Sequence, residues 1–195
     1  MLLSDSLQVA LKEWAVVQRA LLDGTQTVML RKGGIIEETG DFDLRAEQFL
    51  IQPTYAHETE RVGDIRPEYA SILAGEEARK ADPAIVRFEV ACVVADVIRV
   101  DHPDRLIGLG AEHIWSEKFL RGRFDWEPYK PIFVIVARAY ALPTPVEISW
   151  QPQYGGCKSW SELAEPVSTV GATAAIADGR EFEHRLGRIR AALGG

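Results

Sequence analysis

Two cations followed by two glycines, Arg31-Lys32-Gly33-Gly34, form the first stretch of the sequence that could do chemistry. Glycine amides that turn outward can form an anion-binding nest, and the two cations add positive charge to it. The stretch therefore predicts a binding site for a phosphate or a carboxylate. The alternative is a hairpin turn with solvated bases, because turn geometry alone explains the glycine pair.

Acid–base side chains follow directly after a buried strand that is predicted over Phe49–Ile51 and stopped by Pro53. Sites are often built just beyond a strand end, and histidine titrates near neutral pH. His57 is therefore a candidate general base, with Tyr55 and Glu58 in support. Together with the cationic turn, these residues predict a hydrolase or transferase acting on a small phosphorylated or acylated substrate. The alternative is that they cap a loop by bonding to backbone groups.

Aromatic and cationic residues interleave over residues 113–130, here called the ring-rich segment. Aromatic rings give bases a surface for stacking and cations neutralise phosphates, so the segment predicts contacts with a nucleic acid or a nucleotide-like anion. Its acidic residues leave it only weakly positive, and the alternative is that most of its rings belong to the core. The candidate binding residues are His113, Trp115, Lys118, Arg121, Arg123 and Trp126.

Cys157 is the one cysteine whose surroundings favour a nucleophile. It follows Gly155-Gly156, precedes Lys158 and lies two residues before a predicted helix N-cap at Ser159. A helix dipole and a neighbouring cation would both lower the pKa of its thiol. The alternative is a cysteine that is merely packed at the helix entry, since no partner base can be identified from the sequence.

Arg138 interrupts the apolar run Ile132–Leu142, which is predicted to be a central strand because both of its faces are apolar. A guanidinium in a central strand needs a partner, so an ion pair with Glu89 or Asp96 is expected. Cys92 lies on an apolar strand face and is expected in the core.

The composition is that of an ordinary soluble globular protein, with 195 residues of which 47% are hydrophobic and 26% charged. This length predicts a single domain over residues 1–195, with a possible division into 1–82 and 83–195. The net charge of −7 excludes a surface coated in positive charge. The two cysteines are far apart and indicate a reducing compartment.

At the N-terminus, the spacing of apolar residues over Leu7–Trp14 predicts a short helix. Val16–Leu22 and Thr25–Arg31 are predicted to be strands, because both are rich in β-forming residues. Asp23-Gly24 lies between them, and this dipeptide favours a two-residue hairpin turn.

The rest of the chain predicts an α+β fold, with a mixed or antiparallel sheet flanked by helices at both ends. On the long strand, one face is expected to carry Phe88, Val90, Cys92 and Val94. In chain order, the predicted elements are a helix from Pro67 to about Lys80, a strand over Ala84–Val100, a helical stretch over Pro103–Phe119, a strand over Ile132–Leu142 that pairs with Val146–Trp150, and helices opened by capping boxes at Ser159 and Asp178.

The sequence lacks the usual signatures of membrane, secreted and metal proteins. It has no apolar run long enough for a membrane helix and no secretory signal, so a cytoplasmic location without membrane contact is expected. The four histidines have no metal-ligand spacing, and no nucleotide-loop or zinc motif is present. No metal and no cofactor are therefore predicted, and the oligomeric state stays open.

Several stretches resemble a bacterial family catalogued as domain of unknown function 1802. The resemblance is carried by Leu11–Val17, Leu30–Ile35, Phe49–Glu58, Arg123–Trp126 and Tyr154–Trp160. Some members of that family stand beside restriction-endonuclease-like domains, so the resemblance implies a role near nucleic acid or in phage defence.

The order of strand, helical insert and strand also resembles the core of PUA-like barrels, some of which bind modified bases. This is an analogy of fold and implies a partly closed barrel. The leading hypothesis is thus a binding or accessory module for nucleic acid or a nucleotide-like ligand. The alternatives are the hydrolase or transferase described above and a structural subunit of a larger assembly.

Overall fold

In a computed structural model, which describes residues 2–32, 43–55, 63–78, 82–156 and 158–194, seven strands form one sheet. The strands are β1 (Ser6–Trp14), β2 (Val28–Arg31), β3 (Gln48–Thr54), β4 (Ile85–Val100), β5 (Ile132–Ser149), β6 (Trp160–Ser168) and β7 (Thr173–Ala174). The helices are α1 (Ala15–Leu22), α2 (Ala70–Ala78), α3 (Pro103–Ile107), α4 (Glu117–Asp125) and α5 (Gly179–Leu193). None of these helices combines the length and the apolar composition that crossing a bilayer requires.

The sheet is mixed and its strands follow the order β2-β5-β4-β3-β1-β6, with β7 added to β5. Among the described pairs, β1 and β3 run parallel and the others antiparallel. The long strands β4 and β5 pair over most of their lengths. The predicted α+β class with a mixed sheet and flanking helices is confirmed, and the sheet is not closed into a barrel.

A bulge in β4 places two neighbouring core residues in different hydrophobic clusters. The pairing with β5 shifts register between Phe88 and Val90, so these two residues face opposite sides of the sheet. Val90 and Cys92 belong to the larger cluster, whereas Phe88 packs in the smaller one with Leu50. The expectation that Phe88 shares a face with Val90 and Cys92 is therefore wrong, while Cys92 lies in the core as expected.

The first two elements are exchanged relative to the sequence-based prediction. Leu7 and Leu11 lie on strand β1, because β1 pairs with β3 on one side and β6 on the other. Val16 lies on helix α1, which is buried on most of its surface, so its β-branched residues reflect burial rather than strand geometry. Asp23-Gly24 ends this helix: the Asp23 N–H donates to the Arg19 carbonyl at 2.9 Å, and Gly24 has a left-handed φ of 67°.

Two predicted elements near the C-terminus are also wrong. Val146–Trp150 does not form a hairpin with the preceding strand, because β5 continues through both prolines and its last part pairs with β4. The capping-box pattern at Ser159 precedes strand β6 rather than a helix, since Trp160 pairs with Leu11 of β1. In both places long-range strand pairing outweighs a local signal.

Arg138 does not form the expected ion pair with Glu89 or Asp96, because both carboxylates bind other arginines. Within the described residues, its Nη2 donates to the Ile176 carbonyl at 3.4 Å, and its guanidinium lies 5.7 Å from the centre of the Phe182 ring. The charge is thus stabilised by a carbonyl and aromatic faces instead of a carboxylate.

Helix α5 begins as the sequence predicts. The Asp178 carboxylate accepts a hydrogen bond from the Arg180 N–H at 2.9 Å. The helix carries an apolar stripe that is buried against the larger core cluster: Phe182, Leu186, Ile189 and Leu193.

We expect Asp178→Ala to lower the free energy of unfolding by about 1 kcal/mol, because it removes the side-chain acceptor at the first turn of α5. Urea unfolding measures the change. Asp178→Asn is the matched control, since asparagine is an equally good N-cap. A loss of the same size in both variants would contradict the capping role.

Candidate functional site

A cavity of about 230 Å³ opens where the parallel strands β1 and β3 end side by side, with Trp14 opposite Thr54. We call it the Trp115 cavity. It is lined by Lys12, Glu13, Trp14, Val17, Gln26, Met29, Leu30, Arg31, Thr54, Trp115, Phe119 and Arg123. The cavity therefore collects side chains from β1, β2 and β3 and from the ring-rich segment.

Arg31 ties the two sides of this cavity together. Strands β2 and β1 are far apart in the strand order, but the Arg31 Nη2 donates to the Lys12 carbonyl at 2.5 Å and to Glu13 Oε2 at 3.0 Å. Glu13 Oε1 accepts from the Trp14 N–H at 2.9 Å. The carboxylate and the guanidinium are thus held side by side at the edge of the cavity.

Three aromatic rings form one wall. The rings of Trp115 and Phe119 are stacked with their centres 4.4 Å apart, and the Trp14 ring meets Trp115 edge-on at 5.2 Å. Ser116 caps α4 by accepting from the Phe119 N–H at 3.2 Å, and an isolated bridge joins Trp115 to Ile65. The rings are consequently held by backbone as well as by packing.

Two buried hydrogen-bond donors at the cavity have no acceptor among the described residues. They are the Nε of Arg31 and the indole Nε1 of Trp115, whose residue is only 4% exposed. A buried donor without a partner costs about 1–3 kcal/mol of stability. Both donors belong to residues that line the cavity.

The cavity is cationic although the protein as a whole is acidic. Among the described residues, Lys12, Arg31 and Arg123 line it together with one carboxylate, that of Glu13, whereas the chain carries a net charge of −7. The buried Lys12 side chain donates from Nζ to the carbonyl of Gly155 at 2.6 Å. A local excess of positive charge with low-dielectric walls focuses the field on a bound anion.

Lys32, from the predicted cationic turn, does not line the cavity but contacts the ring-rich segment. It is 2% exposed, and its Nζ donates to the carbonyls of Arg123 at 2.6 Å and Phe124 at 3.1 Å, near the end of α4. Burial, with the nearby Arg123 charge, lowers the pKa of Lys32. This geometry favours a role in holding α4 over direct ligand contact.

His113 is buried beneath the cavity wall. Its Nε2–H donates to the Leu106 carbonyl at 3.0 Å, while its Nδ1 accepts from the Trp115 N–H at 3.1 Å. These partners fix one neutral tautomer, and burial lowers the pKa of His113 to about 4. The arrangement favours His113 as a support for the Trp115 backbone.

Three further predicted binding residues, like Lys32 and His113, do not line the cavity. Lys118 is exposed on α4, and the exposed Arg121 pairs with Glu117 at 2.8 Å. Trp126 is half-exposed beyond the helix end, where the Arg123 guanidinium lies 5.6 Å from the centre of its ring. Their contact with a nucleic acid stays a prediction.

Several predicted residues fall outside the described part of the chain: Gly33, Gly34, His57, Glu58 and Cys157. The acid–base hypothesis built on His57 therefore stays a prediction. Tyr55 is described and lines two other cavities. Within the described ranges, no group of three or more histidine, cysteine or acidic residues could hold a metal ion. Burial raises the pKa of the Cys92 thiol, which leaves it protonated.

Sequence reasoning missed Lys12 and Glu13, which lie beside Arg31 at the end of β1. A signal was present, because these two charges interrupt the otherwise apolar stretch Leu11–Val17. On the predicted N-terminal helix they fell on a solvated face. On a strand buried from both sides, the same charges need partners and mark the site.

The chain belongs to the family described as "Domain of unknown function (DUF1802)", whose profile matches residues 10–188. The predicted family membership is confirmed. No curated protein matches the sequence.

Solved structures of ASCH from Zymomonas mobilis are similar in fold. One crystal structure of ASCH has 14% sequence identity, covers 92% of this chain and 93% of its own, and gives a TM-score of 0.47. A mutant of the same protein has 14% identity, covers 83% of this chain and 91% of its own, and gives a TM-score of 0.48.

We expect His113 to make the free energy of unfolding fall as the pH is lowered from 6.5 to 4. The native pKa lies below the unfolded one, so the unfolded state binds the extra proton in this range. The loss is at most about 3 kcal/mol. Urea unfolding of wild type and His113→Gln across this range measures it. An equally steep fall in the variant would contradict a contribution from His113.

Proposed function

We propose that this protein is a nucleic-acid-binding module that takes one unpaired base into the Trp115 cavity. The single observation that carries the proposal is a pair of buried donors, Arg31 Nε and Trp115 Nε1, that have no acceptor among the described residues. Both belong to residues that line a cavity walled by stacked rings and lined by cations.

The chemistry of a nucleotide matches each of these features. Base edges carry carbonyl oxygens and ring nitrogens, which accept hydrogen bonds from buried donors. Base faces pack on aromatic rings, and phosphates pair with arginine and lysine. The carboxylate of Glu13 offers an acceptor for a base N–H beside the donors of Arg31. An apolar ligand would leave the two buried donors without an acceptor.

The size of the cavity selects among nucleic acids. A volume of about 230 Å³ holds a single planar ring system and not a duplex. A base must therefore come from a single strand, or leave the stack of a duplex at the cost of unpairing. We infer that single strands bind more tightly than duplexes of the same sequence.

The charge distribution sets the expected salt dependence. Among the described residues, three cations line the cavity and can attract phosphates. The protein as a whole is acidic and repels a polyanion. Three phosphate contacts on a single strand give a slope of log affinity against log salt of about −2. This role would suit an accessory module near nucleic acid, as the family resemblance implies.

We expect Arg123→Ala to weaken binding of a single-stranded oligonucleotide about 10-fold or more, because it removes a charged donor from the cavity. Fluorescence anisotropy with single-stranded, duplex and base-modified oligonucleotides, at about 50 and 200 mM salt, measures the affinities. Arg180→Ala is the matched control: it removes the same charge from an exposed position on α5 that does not line the cavity.

The control is expected to change affinity by less than about twofold. Equal weakening by both variants would show that binding follows net charge and not the cavity. An absence of salt-sensitive binding for every oligonucleotide would end the proposal.

A further inference from the structure

We propose that a second base-binding site adjoins the first, so that the protein holds two successive nucleotides of a single strand. The inference rests on the proposed function. It adds that the ligand spans two nucleotides and that the second base carries a hydrogen-bond donor.

The second site is a cavity of about 320 Å³, which we call the Trp150 cavity. Lys12 and Thr54 line both cavities and so form their common wall. The cavities therefore lie on either side of the last residues of the parallel strands β1 and β3. The remaining lining that matters here comes from Gln52, Trp150 and Gly155.

Gln52 gives the Trp150 cavity an unpartnered acceptor. The residue is 4% exposed, and its Nε2 donates to the Tyr154 carbonyl at 2.9 Å, which fixes the orientation of the amide. Its Oε1 is buried with no donor among the described residues. A ligand that satisfies it must bring a hydrogen-bond donor, and the exocyclic amino group of a base is one. The two cavities thus differ in polarity, since the unpartnered groups of the first are donors.

Trp150 gives the same cavity an aromatic ring on which a base can stack. The residue is 46% exposed, and its ring lies directly against the backbone of Gly155. A Cβ atom at position 155 would lie only 3.1 Å from Trp150 Cζ2, which is closer than ordinary van der Waals contact. The indole ring can occupy this position because residue 155 is glycine. A half-exposed indole supported from behind has the form of a stacking platform.

Lys12 places a positive charge between the two sites. Its Nζ donates to the carbonyls of Gly155 at 2.6 Å and Gly156 at 3.0 Å, which ties the loop after Trp150 to β1. A strand with one base in each cavity has to pass its linking phosphate over this common wall. The ammonium group is in place to attract that phosphate.

The matching ligand is a single strand in which a base rich in acceptors neighbours a base with an exocyclic amino group. In the trinucleotide TAT, the central adenine has a thymine on each side, so the two kinds of base are neighbours in both directions. Thymidine monophosphate offers a thymine alone and can fill only the first cavity. Isothermal titration calorimetry of both ligands separates the two sites.

We expect Trp150→Ala to weaken binding of TAT by about 5- to 100-fold, since it removes one stacking platform. Binding of thymidine monophosphate is expected to change by less than about twofold. Trp150→Phe keeps a ring and restores most of the affinity for TAT. Gly155→Ala displaces the ring and weakens TAT selectively. Val170→Ala trims an exposed apolar side chain that lines neither cavity and is the control variant.

Unchanged binding of TAT to Trp150→Ala would overturn the second site while leaving the first intact. Equal weakening of TAT and of the monophosphate would also overturn it, because the ring would then act only through the first cavity. Failure of both ligands to bind the wild-type protein would overturn the proposed function itself.

Discussion

The bridge from Arg31 to the end of β1 is the interaction on which the site depends. Strand β2 lies at one end of the strand order, and its last residue reaches across to the Lys12 carbonyl and the Glu13 carboxylate. This contact joins the ends of β1 and β2, which lie on opposite sides of one cavity. It uses the Nη2 of the guanidinium and leaves the Nε without an acceptor among the described residues. The structural bond and the unsatisfied donor thus belong to one side chain.

The cavity carries costs that a well-packed core avoids. Two donors are buried with no acceptor in the part of the chain that the structure describes, and the cations of Lys12 and Lys32 are held by carbonyls. Natural proteins retain such features where function requires them, since an apolar replacement would be more stable. A ligand that brings acceptors would offset part of this cost. The larger core cluster, built mainly from β4, β5, α1 and α5, supplies the stability that the site lacks.

The sequence predicted the parts of the fold that local patterns determine. The long strand β4 was predicted because apolar and polar residues alternate along it. The helix α5 was predicted because a capping residue precedes a helical stripe of apolar residues, and few other structures match either pattern. The exchange of strand and helix over Leu7–Leu22 was missed because β1 is buried from both sides and α1 on most of its surface. The same holds for the site. Arg31, Trp115 and Arg123 could be predicted from their residue types and their neighbours in the sequence. Lys12 and Glu13 could be recognised only once β1 was known to pair with β3.

The indole N–H of Trp115 reports most directly on whether the cavity is a base site. Its signal in a ¹H–¹⁵N correlation spectrum is assigned by its loss in Trp115→Phe. Titration with thymidine monophosphate should move this signal saturably, because the bound base supplies the acceptor that the buried donor lacks. An oligonucleotide that binds the protein while the Trp115 signal stays in place would contradict the cavity as the site of binding.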